Sequence, residues 1–208
     1  MNIKFTRIVR SSPTVLPASN WQRSRWLIVA TTLLLLFITI PAVWGANYHG
    51  RAIDAETGKP IEGAVVMVEW HKRAIYSMDG GGIFHNVRET LTDVDGRFSM
   101  DASEGINWNP LTYVQAPRII AFFPGYLPFT PAYPEAIGIK GGLYEIAEAL
   151  EKGAVIKMTK LKSDLEIKKY TTPTDLGPLR APYSKIPNTI RLLNIHRKKL
   201  GLNDLSDS

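Results

Sequence analysis

Between Gly50 and Met100 the chain alternates. From Ala64 onward, Ala64, Val66, Val68 and Trp70 are apolar, while the residues between them pass from Val65 and Met67 to Glu69 and His71. A period of two predicts a strand with one face on a core. Before it, Asp54-Ala55-Glu56-Thr57-Gly58-Lys59-Pro60 concentrates turn formers. Gly58 is free to take positive φ and Pro60 cannot donate to a ladder, so residues 48–53 and 62–71 are expected as two strands joined by this turn. Farther on, Val87, Glu89 and Leu91 alternate with Arg88, Thr90 and Thr92, and Asp95-Gly96 turns the chain into residues 97–100. This predicts a second hairpin.

Later segments change period. Residues 72–84 read as a loop whose Asp79-Gly80-Gly81-Gly82 forms a mobile excursion; it lacks the Lys-Ser/Thr ending of a phosphate-cradling loop. Residues 101–117 read as irregular, with a turn at 107–110. Ile119, Ile120, Ala121, Phe122 and Phe123 form a near-continuous apolar run, suited to a strand covered on both faces. Residues 124–129 form an ordered loop packed on the end of the sheets. Leu143, Ile146, Ala147 and Leu150 follow helical spacing with Glu145, Glu148 and Glu151 outside, and 154–161 returns as the last strand. Polar, proline-bearing residues 163–185 read as an extended strap. In the tail, Pro187 suits a first helical position, Ile190, Leu193 and Leu200 share a face, Arg197, Lys198 and Lys199 suit the negative end, and Gly201 can terminate the helix. A helix of about 14 residues is marginal alone and must dock, on its own sheets or on a partner.

The phrase Gly-Arg-x-Ile-Asp-x-x-Thr-Gly-x-Pro-Ile-x-Gly-Ala-x-Val at residues 50–66, followed by Thr-Asp-x-Asp-Gly-Arg-Phe at 92–98, resembles the carboxypeptidase regulatory-like domain. The resemblance covers roughly residues 47–162 and is sharpest in its first half. It implies a transthyretin-like, prealbumin-like seven-stranded β-sandwich, mainly β, of a family that usually binds or pads and does not catalyse. In that family a phrase like Phe123-Pro124-Gly125-Tyr126 follows a late strand. Most of the matched positions make turns, so they speak to fold more than to ligand.

Charge is unevenly placed. The formal net charge of +6 suggests a basic protein, but Lys4, Arg7, Arg10, Arg23 and Arg25 stand in residues 1–45 with no Asp or Glu. The chain's 25 Lys and Arg less those five leave 20 against 19 Asp and Glu, so the remainder is near neutral. Nucleic-acid binding loses its main motive, because clustered cations supply most of such affinity. From Trp26 to Trp44 there are 19 residues without a charge. As a helix they would rise ~28 Å, about the thickness of a bilayer's hydrocarbon core. Two readings stay open. Arg23, Arg25 and the terminal tryptophans suit a transmembrane anchor at 26–45 preceded by a basic cytoplasmic segment at 1–25. Pro41 and the junction after Gly45 suit a cleaved signal peptide. Both place the following domain, 46–162, and the strap and helix at 163–208 on the far side of the membrane, anchored or secreted. Residues 23–45 then make the membrane the one expected partner, with an envelope protein or a polysaccharide as further candidates.

Candidate chemistry is sparse. With no cysteine there is no disulfide, thiolate site or cysteine nucleophile. The histidines are His49, His71, His85 and His196, without a His-x-His or His-x-x-x-His pair. The Trp70-His71 strand and the 92–98 turn also resemble the opening of intradiol ring-cleaving dioxygenases, which hold ferric iron with two tyrosines and two histidines. That family sets a His-x-His pair late in its domain, and this chain has no histidine between His85 and His196. Asp93-Val94-Asp95-Gly96 opens like a calcium loop but lacks the later ligands. No serine elbow is present. No catalytic residue, metal ligand or cofactor is therefore assigned. Trp70, His71 and His85 could edge a small-ligand patch, since the two histidines end and begin neighbouring strands; histidines satisfied by backbone groups are the competing reading. The leading expectation is a non-catalytic exported or membrane-anchored binding module. A metal-dependent enzyme on a dioxygenase-like sandwich and a structural component of an envelope complex are the alternatives.

Overall fold

The computed structural model describes residues 47–76, 82–132 and 134–205. These residues form seven strands: β1 (Asn47–Asp54), β2 (Val65–Ala74), β3 (Ile83–Leu91), β4 (Arg97–Asp101), β5 (Thr112–Val114), β6 (Arg118–Phe122) and β7 (Ala154–Met158). Helices α1 (Leu143–Glu151), α2 (Asp164–Ile167) and α3 (Pro187–Lys199) complete the regular structure, with short 3-10 turns between them. In one sheet β1 lies between β4, antiparallel, and β7, parallel. In the other, β2 pairs antiparallel with β3 on one edge, and with β6 and then β5 along the other.

The expected strands form, but the two expected hairpins do not. β1 and β2 belong to different sheets, as do β3 and β4, so each turn is a corner from one sheet to the other. Side chains dictate this. Asp93 Oδ1 accepts the amides of Asp95 and Arg97, and Gly96, at φ 74°, aims its carbonyl at the Ala52 amide 2.8 Å away. The turn is thereby stitched to β1 of the opposite sheet. Buried Thr92 secures the other corner: its hydroxyl donates to Ile61 O at 2.6 Å and accepts from Ala64 N at 2.9 Å. A buried hydroxyl satisfied in both senses holds the crossing without an orphan polar group.

The main core lies between the sheets, where Val66, Val68, Trp70, Ile119 and Ala121 of one meet Ala52, Phe98, Met100, Ile156 and Met158 of the other. Helix α1 closes it with Ile146, Ala147 and Leu150, as its spacing predicts. β6 is buried on both faces, and its free edge is closed by a bridge from Ala121 to Phe129.

A second core lies on the outer face of β2, which the alternation alone left to solvent. Val65, Met67, Val87, Ile120 and Phe122 pack against Tyr170, Leu176, Ile186 and Leu193, so the strap and tail helix dock on this domain's own sheet. Helix α3 begins at Pro187 as expected, but its buried face is Thr189, Leu192, Leu193 and His196. Ile190 is only partly covered. The stretch read as a mobile excursion has residues 77–81 outside the described residues, as is the apolar run 26–44. Among the described residues no helix is long and apolar enough to cross a membrane.

Candidate functional site

The backbones of Trp70, His71 and His85 lie close where the end of β2 meets the start of β3. The ladder shifts register here: Trp70 stands opposite Asn86 and His71 opposite Phe84, leaving His85 as the extra residue of a bulge. The two histidines are thus neighbours in the ladder. Trp70 is not directed with His71, because successive residues of a strand point to opposite faces. Its indole lies in the core between the sheets, 1% exposed, while His71 lies beneath the strap.

Around His71 the structure builds a buried polar knot. Glu69, fully buried, places Oε2 3.2 Å from His71 Nε2, within ion-pair reach but without the angles of a hydrogen bond. Its other oxygen accepts the Arg180 amide at 2.8 Å. The Arg180 guanidinium then donates through Nη1 to the carbonyl of Gly82. Gly82 itself is packed tightly, since a Cβ there would stand 2.8 Å from His71 Cβ and 2.6 Å from Gln115 Oε1. The Gln115 backbone N–H donates to His71 O at 2.8 Å. His85 Nε2 is enclosed without a protein hydrogen-bond partner.

Chemically this is a carboxylate–imidazole pair, and among the described residues no hydroxyl is hydrogen-bonded to either side chain. Both its side chains are closed off by the strap, and its remaining hydrogen bond goes to backbone. Its effect is to tie Arg180 to the outer face of β2. Among the described residues no group of three or more His, Asp or Glu side chains is placed to hold a metal ion. His49 lies exposed at the start of β1, and His196 Nε2 is 2.7 Å from Ile167 O with its ring edge-on to Phe122. The four histidines therefore stand in three separate places.

Sequence reasoning passed over Glu69, Glu89 and Arg180. Glu89 on β3 receives the first amides of α3, Asn188 N at 2.5 Å and Thr189 N at 3.1 Å, and the Thr189 hydroxyl at 2.8 Å. A carboxylate at a helix N-terminus satisfies orphan donors and meets the positive end of the dipole. The available signal was the apolar pair Val65 and Met67 on the supposedly solvated face of β2, which asks for a cover.

The surface concavities among the described residues include one on the β1 sheet and one along the tail helix. A shallow cleft of about 630 Å³ lies over β1, β4 and β7, lined by His49, Arg51, Arg97 and Lys152 among others. Two of its cations are engaged: Arg51 Nε donates to Asp95 O at 2.6 Å and Lys152 pairs with Glu148 at 2.5 Å. A groove of about 520 Å³ follows the outer side of α3 between Ile190, Ile195 and Leu205.

No family model matches the chain, and none of the curated proteins matches it. A solved structure, that of the Streptococcal ancillary pilin, aligns at 17% identity over 57% of this chain and 30% of its own, with a TM-score of 0.27. The chain thus spans less than a third of that protein's length, and the likeness is too low to carry an argument.

Proposed function

We propose that this chain is a non-catalytic accessory or binding module held at, or exported across, a membrane by residues 23–45, with its folded part on the far side. The observation that carries the reading is placement. Nineteen uncharged residues, preceded by Arg23 and Arg25, end at Trp44, and the first strand of a domain with its own two cores begins at Asn47. That order, basic flank, apolar run and then a folded body, suits an anchor or an export signal.

The fold is of the transthyretin-like kind associated with the carboxypeptidase regulatory-like domain. The corner turns at 54–60 and 92–98 support this, because they hold the residues that carried the resemblance. The non-catalytic part of the reading is supported by how buried and half-buried polar side chains are used: Glu69, Glu89, Thr92 and Thr189 each bond to backbone or to one another in joining segments of the fold.

Expression in a bacterial host, followed by fractionation and mass determination, tests the reading. Full-length chain in the membrane pool indicates an anchored module, and a species beginning at Ala46 in the soluble pool indicates a released one. Full-length chain in the cytoplasm would sink it, as would turnover of any substrate that disappears in His85→Ala.

A further inference from the structure

Six of the large apolar side chains exposed by this domain gather at one end. Ile75, Tyr76, Ile83, Trp108, Leu111 and Tyr113 all stand more than two-fifths exposed, with Tyr76 at 84% and Trp108 at 85%. Backbone pairing makes them neighbours. Ile75 N donates to Leu111 O at 2.9 Å, Tyr113 stands opposite Arg73, and Ile83 stands opposite Lys72. Trp108 is held out by a structured loop: Asn107 Nδ2 donates to Thr112 O at 2.8 Å, and Asn109 Oδ1 accepts from Leu111 N at 2.9 Å. An exposed apolar cluster of this kind marks an interaction site.

The chain enters the domain at this same end. Asn47, the first residue of β1, stands opposite Asp101, the last of β4, from which the loop to Trp108 departs. At an extended rise of ~3.3–3.6 Å per residue, the three steps of chain from Trp44 to Asn47 reach no more than about 11 Å.

We propose that this end of the domain is a membrane-interface surface, with Trp108, Tyr76 and the flanking Ile75, Leu111 and Tyr113 seated at the headgroup level of a bilayer. The inference rests on reading residues 26–45 as a retained anchor, which would leave the Trp108 end within a few residues' reach of the lipid. The side chains fit that occupant. Trp and Tyr favour the boundary between water and hydrocarbon, where an amphipathic ring satisfies both, and Ile and Leu gain by leaving water. A polysaccharide would need polar groups beside the rings, but Asn107 Nδ2 and Asn109 Oδ1 are spent on their own loop. Charges nearby are of both signs, with Arg88 Nη2 3.3 Å from Asp101 Oδ2. Attachment is therefore led by apolar burial and does not require anionic lipid.

Because the chain has no cysteine, a single introduced one takes a spin label uniquely. Full-length Trp108→Cys and, at the opposite end in the β1–β2 turn, Lys59→Cys are reconstituted into phosphatidylcholine vesicles. Collision of each label with oxygen, which concentrates in lipid, is compared with collision with a water-soluble nickel chelate. The oxygen-to-nickel ratio is expected to be several-fold higher at 108 than at 59. Equal ratios in protein that floats with the vesicles overturn the proposal while leaving the anchor intact. A label shielded from both reagents reports a protein contact, such as a second copy, and also overturns it. If the chain fails to float, the anchor reading fails. The label at 108 then still decides, because a ratio that rises when vesicles are added sustains the surface, and an unchanged ratio removes it.

Discussion

Tyr126 donates its phenolic hydrogen to Asp54 Oδ2 at 2.9 Å across 72 residues of chain. Asp54 opens the first corner and Tyr126 stands in the loop after β6, so the bond joins the two. The other carboxylate oxygen accepts the amides of Thr57 at 2.8 Å and Glu56 at 2.9 Å. The Thr57 amide first, and then the Tyr126 hydroxyl, hold the Asp54 carboxyl down to about 2. Since the folded state favours the ionised form, Asp54 stabilises the fold fully above its ordinary value of 3.8, and this contribution is lost as pH falls toward 2. The stability difference between the parent protein and Asp54→Asn, measured by urea unfolding, is expected to hold constant above pH 5 and to shrink between pH 4 and 2. A difference that does not change with pH would show that ionisation is not what the turn uses.

Glu89 fixes the angle at which the tail enters. Replacing it with Ala leaves Asn188 N and Thr189 N without their acceptor at the start of α3, and the loss of such a cap costs about 1–2 kcal/mol. Glu89→Gln keeps an acceptor but not the charge, and should cost less than half as much. Denaturant midpoints rank the two variants, and limited proteolysis should cut first between residues 163 and 186 in Glu89→Ala.

How much of this was legible follows from the range of each contact. The turns at Asp54, Thr57, Gly58 and Pro60 and at Asp93, Asp95 and Gly96 were readable because their chemistry is local. Their outcome as corners was not, because it depends on Thr92 reaching Ile61 and on Gly96 reaching Ala52, contacts that no local pattern encodes. Glu69 and His71 look solvated in an alternating strand, yet both are buried, and Glu69 is met there by the Arg180 amide from 111 residues away. Tyr170, Leu176 and Ile186, which cover that face, follow no period in the strap. The separation of Trp70 from His71 was within reach, since a pleat sends adjacent residues to opposite faces. Exposure of Trp108 and Tyr76 was not, because an aromatic in a loop reads equally as a packed residue.

The Glu69–His71 pair should behave as one unit with Arg180. Glu69→Ala strands the Arg180 amide and leaves His71 facing a void, so a loss of about 1–3 kcal/mol is expected. Glu69→Gln, which can still accept from Arg180, should cost less. In a double-mutant cycle with His71→Ala, the two losses should fall short of additivity by at least about 0.5 kcal/mol, as expected for side chains in contact. Additive losses would mean that the 3.2 Å approach carries no energy.

Leu193 tests whether the tail helix belongs to this fold or serves another molecule. Its side chain is fully buried against the outer face of β2, where truncation to Ala removes buried methyl groups and costs ~2–5 kcal/mol. Leu193→Asp adds an uncompensated charge in the same place and should cost more. If the helix is integral, Leu193→Asp loses the far-UV β signal or the thermal transition together with any co-purifying protein. If it serves a partner, the variant keeps its β signal and loses only the partner. Ile195 gives the comparison, because it lies on the opposite, partly exposed side of α3. Ile195→Asp should change stability by less than about 0.5 kcal/mol, the range of surface substitutions, so any partner lost with Ile195→Asp alone occupies the outer groove and not the core.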